Sequence, residues 1–176
     1  MVYETIFDGK IFDVPSEELD GDSTGGFLVG GIAARTNPIA LAREFRTAGD
    51  RLIELYMNDS MSYEVASPIL YLYRQSLELY LKAIVGDCGK KHDLRKLIQK
   101  LDEWMVTRYG RRLTSWVKDR LLEFHHLDPK STALRYADEA DTLLGGEEHW
   151  VDLHRLQSIF LMLTNGIERL ASKTST

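Results

Sequence analysis

Residues 153–170 read Leu-His-Arg-Leu-Gln-Ser-Ile-Phe-Leu-Met-Leu-Thr-Asn-Gly-Ile-Glu-Arg-Leu, and Leu153, Leu156, Phe160, Leu163, Ile167 and Leu170 recur at steps of three and four. That spacing keeps to one face of a 3.6-residue helix. It is the cleanest stripe in the chain and predicts a last helix from about Glu147 to Ala171. Immediately upstream, residues 129–148 read as irregular, closing on Gly145-Gly146. Before them, Ser115 to His126 carries Trp116, Val117, Leu121 and Phe124 and stops ahead of Asp128-Pro129, because the residue before a proline avoids helical geometry.

The same period continues toward the N-terminus. A third helix opens near Asp93, with Leu94, Leu97, Ile98, Leu101, Trp104 and Met105 on one face, and breaks at Gly110. A second runs from about Glu64 to Val85; its apolar set, Ile69, Leu70, Tyr73, Leu77, Tyr80, Leu81 and Ile84, is broad enough for a central helix packed on several sides. The first starts at Asn37, a good N-cap, with Pro38 where its missing N–H is harmless. Leu41, Phe45, Ala48, Leu52 and Leu55 form its stripe, which ends near Asn58. Five helices with short or moderate links, no strand–helix alternation and no internal repeat predict an all-α, up-and-down helical bundle over residues 38–172. Residues 1–37 read as an irregular N-terminal arm, in which Asp8-Gly9 between two short apolar runs is a hairpin signal, and residues 173–176 read as a tail.

Composition agrees with one core. The chain has 176 residues, 44% of them apolar and 28% charged, with 13 Gly and 4 Pro, which suits a single compact domain and not a disordered chain. No apolar run approaches the roughly 20 residues needed to span a bilayer. The N-terminus lacks a basic start followed by an apolar stretch, so no secretory signal is read and a soluble, cytoplasmic protein without a membrane partner is expected. The lone Cys88 excludes an internal disulfide and a multi-thiolate zinc site. His149 and His154, five apart, do not face one another on a helix, and the glycine pairs at 25–26 and 30–31 lack the context of a phosphate loop. Neither a metal nor a cofactor is expected.

A formal net charge of −5 argues at first against a nucleic-acid partner, but the average hides a partition. Residues 1–73 carry −7, residues 74–120 carry +6, and residues 121–176 carry −4. The basic middle either presents a face to an anion or neutralises its acidic neighbours in the fold.

Three constellations fall in or beside it. Arg74, Glu78 and Lys82 stand at i, i+4 and i+8 on the second helix, either a surface ion-pair ladder or a charged site beside the apolar face. His92-Asp93 opens the third helix; Asp93 suits its first turn, while His92 is either a loop histidine bonded to a neighbour or a phosphate-contacting or proton-moving group. In the fourth helix Arg120 precedes His125 and His126. An arginine that stabilises phosphorane charge beside an imidazole that moves a proton is a workable pair for metal-independent RNA cleavage, and a helix C-terminus capped by histidines is the plainer alternative.

Together, residues 74–101 and 127–136 resemble the HEPN superfamily (higher eukaryotes and prokaryotes nucleotide-binding), small α-helical bundles. The resemblance rests on Arg74-Gln75-Ser76-Leu77-Glu78-Leu79-Tyr80-Leu81-Lys82-Ala83-Ile84, then Lys91-His92-Asp93-Leu94 with Leu97 and Leu101. It continues in Leu127-Asp128-Pro129 with Ala133-Leu134-Arg135-Tyr136-Ala137-Asp138, similar to an Arg-Tyr-Pro-Asp loop with Ala137 where proline is usual. The resemblance implies RNA or nucleotide association through Arg74, Glu78, Lys82, His92, Arg135 and Tyr136, a homodimer, and an antitoxin or a separately encoded nucleotidyltransferase as partner. It further implies a toxin- or defence-type ribonuclease using Arg120 with His125 or His126, or a non-catalytic member. The family's catalytic arginine is usually followed by a polar residue near the last core helix; here Leu121 follows Arg120, in the fourth helix. A non-enzymatic helical interaction or dimerisation module is the competing expectation.

Overall fold

The structure, a computed structural model, describes residues 37–59, 63–86 and 92–173. The expected N-terminal arm with its hairpin, the loop residues Cys88, Lys90 and Lys91, and most of the C-terminal tail lie outside them. Among the described residues the protein is an all-α bundle with no strand. Its helices are α1 (Pro38–Asp59), α2 (Ala66–Val85), α3 (Leu94–Tyr109), α4 (Ser115–Leu127) and α5 (Leu153–Ser172), with 3-10 segments at Tyr63–Val65 and Ala137–Gly146. No helix among the described residues is long and apolar enough to cross a membrane.

The helix ends follow local chemistry. Asn37 Oδ1 accepts from the Ile39 amide at 2.9 Å, Asp93 from Lys96 and Asp152 from Arg155, each filling one of the orphan N–H groups of a first turn. Gly110 closes α3 at φ 66°, a left-handed conformation that glycine enters without a Cβ clash. One boundary differs from the sequence expectation. The last helix begins at Leu153 instead of Glu147, because Asp152 is extended and serves as its cap, and the residues before it are not helical. The stretch expected to be irregular holds the 3-10 segment instead, interrupted by non-helical Leu143, Leu144 and Gly145.

Helix α2 is the centre of the bundle and packs against α1, α3 and α5. Paired residues run in opposite order along α1 and α2 (Ala42 with Ser76, Asp50 with Tyr73) and in the same order along α2 and α5 (Tyr73 with Phe160, Tyr80 with Glu168). The first pair of helices is therefore antiparallel and the second parallel. Phe160 ties three helices, meeting Tyr73 edge-on at 4.6 Å and Phe124 at 5.5 Å, and Leu77, Leu81, Leu97, Leu101 and Leu121 complete the buried core. Burying side chains of this size contributes about 1.5–3 kcal/mol each.

The buried edge of α1 is displaced from its expected stripe. Ala42, Gly49 and Ile53 are buried, whereas Ala48 is exposed and Leu55 nearly half so. Gly49 accounts for the rotation. A Cβ there would lie 3.0 Å from Tyr73 Cε2, so a larger residue would push the Tyr73 ring back from the α1 backbone. A polar seam then lines α1 against α2 and α5. Tyr73 donates to Asp50, Gln157 donates to the same carboxylate at 3.1 Å, Arg43 forks onto Glu168 at 2.8 and 2.6 Å, and Tyr80 donates to Glu168 at 2.6 Å.

Candidate functional site

Arg74 and Glu78 do not form a surface ladder. Both are 1% exposed, on the side of α2 that faces the start of α3 and the loop after α4. The Arg74 guanidinium spends its three nitrogen donors on two separate segments, the loop after α4 and the start of α3. Nε donates to the Asp128 carbonyl at 3.2 Å, Nη1 to Ser131 Oγ at 2.7 Å, and Nη2 to the His92 carbonyl at 3.0 Å. Its burial holds its pKa below the ordinary arginine value, the carboxylates of Asp128 and Glu78 working in the opposite direction.

Glu78 supplies the countercharge, with Oε2 3.5 Å from Arg74 Nη1. Its Oε1 receives Lys82 Nζ at 2.9 Å and His92 Nδ1 at 2.8 Å. A carboxylate only accepts, so the proton of that last bond sits on Nδ1, and Nε2 is the ring nitrogen left for another partner. Exposure grades outward from this base. The Glu78 side chain is 1% exposed, Lys82 20% and His92 45%, so one buried anion presents two basic groups at the surface.

The loop after α4 completes the cluster. Asp128 is buried, and its carboxylate caps the amides of Thr132 at 3.0 Å, Ala133 at 3.3 Å and Leu134 at 3.4 Å. This turns the chain through Ser131, which sits at φ 63° although it is not glycine. Ser131 thereby faces two arginines: its hydroxyl accepts from Arg74 inside, and its carbonyl accepts from Arg135 at the surface. Arg135 is exposed and lies 5.3 Å from the centre of the half-exposed Tyr136 ring.

Of the six residues expected to bind a ligand, Arg74, Glu78, Lys82 and His92 meet at one buried ion pair, and Arg135, with Tyr136 beside it, joins them through Ser131. Arg74 and Glu78 form its base, and Lys82, His92, Arg135 and Tyr136 its accessible rim. The three cleavage candidates do not gather. Arg120 and His125 are about 140° apart around α4 at 100° per residue. Arg120 pairs with Glu123 at 2.7 Å and lines a cleft of about 510 Å³ with Trp150 and Arg155. His125 and His126 instead meet Arg95 of α3, His125 Nε2 accepting from Arg95 Nε at 3.2 Å and His126 Nε2 lying 3.5 Å from Nη2. Burial first and the Arg95 cation second hold the His125 imidazole below its ordinary pKa.

The fold adds Arg95, Asp128 and Ser131, which the sequence alone does not single out as site residues. Arg95 belongs to the +6 segment, and Asp128-Pro129 reads in sequence as a helix stop and a motif fragment; nothing in the sequence around Ser131 points to its role. A separate apolar groove of about 310 Å³, with Met105, Trp116, Met162 and Ile167 among its lining, shares no residue with the charged cluster. Among the described residues no group of three His, Cys, Asp or Glu side chains is arranged to hold a metal. No protein family, no curated protein and no solved structure matches the chain significantly.

Proposed function

We propose that this chain is an HEPN-like helical bundle that binds a phosphate-bearing ligand, an RNA or a nucleotide, at the Lys82–His92–Arg135 rim. The observation that carries the reading is the convergence of three separate sequence segments, α2, the start of α3 and the loop after α4, on one buried ion pair. Glu78 holds Lys82 and His92 on a single oxygen, while Arg74 anchors the loop that carries Arg135. An apolar core has no need of this arrangement, since well-packed hydrophobic residues in place of a buried ion pair are often as stable or more so. What it does provide is a fixed spacing of cations, a preorganised surface for phosphate oxygens. Tyr136, half exposed beside Arg135, offers a face on which a base stacks.

Binding, without turnover, is the form of this reading that the geometry favours, because Arg120 has its own carboxylate partner and lies on another side of α4 from His125. The test is titration of labelled single-stranded RNA and of a nucleoside monophosphate at several salt concentrations. The double substitution Lys82→Gln/Arg135→Gln is expected to lower RNA affinity at least about tenfold and to flatten the salt slope by about 0.7 for each phosphate no longer neutralised. Wild-type protein that binds neither probe, or binds as tightly after the double substitution, refutes the reading.

One observation favours a second reading, a module for helix–helix association. Trp116 and Met162 are 43% and 59% exposed at the mouth of the apolar groove. A homodimer or a partner protein seated there would form in high salt as well as in low, and sedimentation of the protein alone measures the first of these.

A further inference from the structure

Arg95 stands in the first turn of α3, three residues past His92, and is exposed. Among the described residues it is in no ion pair; its donors go to two imidazole nitrogens. The N-terminal end of a helix is the positive end of its dipole, so a cation without a carboxylate is poorly placed there. His125 makes the arrangement costlier. Because its Nε2 accepts from Arg95, the neutral ring carries its proton on Nδ1, and Nδ1 is buried with no partner among the described residues, in a side chain that is 7% exposed. A phenylalanine would occupy the site without that unsatisfied donor. Two unfavourable choices at one guanidinium hold it at the surface beside the rim. His92, whose carbonyl accepts from Arg74 and whose ring meets Glu78, lies only three residues before Arg95, which ties the second cation to the first cluster.

We infer that Arg95, positioned by His125 and flanked by His126, is a second phosphate contact continuous with the Lys82–His92–Arg135 rim, so that the ligand is a strand with successive phosphates and not a mononucleotide. The inference rests on the anion-binding reading above. A nucleoside monophosphate brings one phosphate and engages one of the two contacts. A single strand repeats its charge along the backbone and engages both, with each contact adding to the salt dependence. His125 is a positioning residue: its imidazole aims the guanidinium and touches no ligand. His126 is exposed, with its Nε2 3.5 Å from Arg95 Nη2.

The experiment compares the ratio of RNA affinity to nucleoside monophosphate affinity in wild-type, Arg95→Gln, His125→Phe and Lys82→Gln proteins, with circular dichroism and a thermal melt for each. For Arg95→Gln the ratio is expected to fall at least about fivefold, and the RNA salt slope to flatten by about 0.7. For His125→Phe the ratio falls in the same direction while the melting temperature is unchanged or raised, which separates aiming Arg95 from holding the fold. An unchanged ratio and slope in Arg95→Gln, with Lys82→Gln still weakening both probes, overturns the second contact and leaves the first reading standing. If wild-type protein binds neither probe, both fall. If His125→Phe melts well below wild type, the positioning role is overturned, and Arg95→Gln alone then decides the contact.

Discussion

Two polar networks cross this bundle, and they differ in how their charges close. The seam between α1 and α5 is balanced: Arg43 forks onto Glu168, Arg46 reaches Thr164 and stands 4.0 Å from Asp50, and both carboxylates take further donors from Tyr80, Tyr73 and Gln157. The cluster at α2, α3 and the loop after α4 is not. Arg74 and Lys82 share one carboxylate, while Arg95 donates to imidazoles and Arg135 to a backbone carbonyl. A network that neutralises itself fixes helices side by side. One that leaves cations without carboxylate partners at its edge is the arrangement on which the proposed anion site rests.

The largest test of that contrast lies at its buried base. Arg74→Ala takes one partner from Glu78, which keeps Lys82 and His92, and unties Asp128, Ser131 and His92 together, and is expected to cost about 3 kcal/mol in urea unfolding. A change below about 1 kcal/mol would show the base to be dispensable. Acid separates the two networks next. His125 has a lowered folded pKa, so below its ordinary value of 6.5 the unfolded chain binds more protons than the folded one. Stability is therefore lost first as pH falls from 6.5, with a limiting slope of about 1.4 kcal/mol per pH unit, and His125→Phe should remove that phase.

Glu168 behaves differently, at a lower pH. The Arg43 fork, opposed in part by burial, and the Tyr80 hydroxyl hold its carboxyl at about 2, so its contribution is present above the ordinary 4.5 and is lost as pH falls from there toward 2. Stability measured from about pH 7 down to about pH 2 should show the two phases in that order; a single phase near about pH 4 would erase the distinction. Smaller still, Tyr80→Phe removes one hydrogen bond of the seam and should cost about 1 kcal/mol without changing RNA affinity. Smallest is Arg120→Ala, expected to leave RNA affinity within about twofold, because that side chain belongs to neither network. A large drop in affinity there would move the site to the cleft between Arg120 and Arg155.

The bundle is legible in the sequence because helical packing is periodic. Phe160, Leu163 and Ile167 recur at the spacing a buried face requires, and Asn37, Asp93 and Gly110 mark helix ends through groups close by in the chain. The face of α1 departs from its apolar stripe for a physical reason: its closest approach is made by Gly49, which has no apolar side chain to count. Of the site, the residue types on α2 are visible at i, i+4 and i+8, but their burial is not. It depends on a loop 54 to 57 residues away folding over them through Asp128 and Ser131. Arg95 stays hidden for the same reason, since its partners belong to α4 and no local spacing relates residues 95 and 125. Arg120 and His125 show the converse, in that proximity along a helix sets them on different sides of it.

Ser131 carries a mechanical consequence. Held in a left-handed turn by the Asp128 cap, it grips an interior arginine with its hydroxyl and a surface arginine with its carbonyl. The two are separated by the width of a single residue. Ser131 therefore joins Arg135 to Arg74, and through Arg74 to the beginning of α3 and the end of α4. The exposed arginine is thus anchored to the interior of the bundle through one residue of backbone.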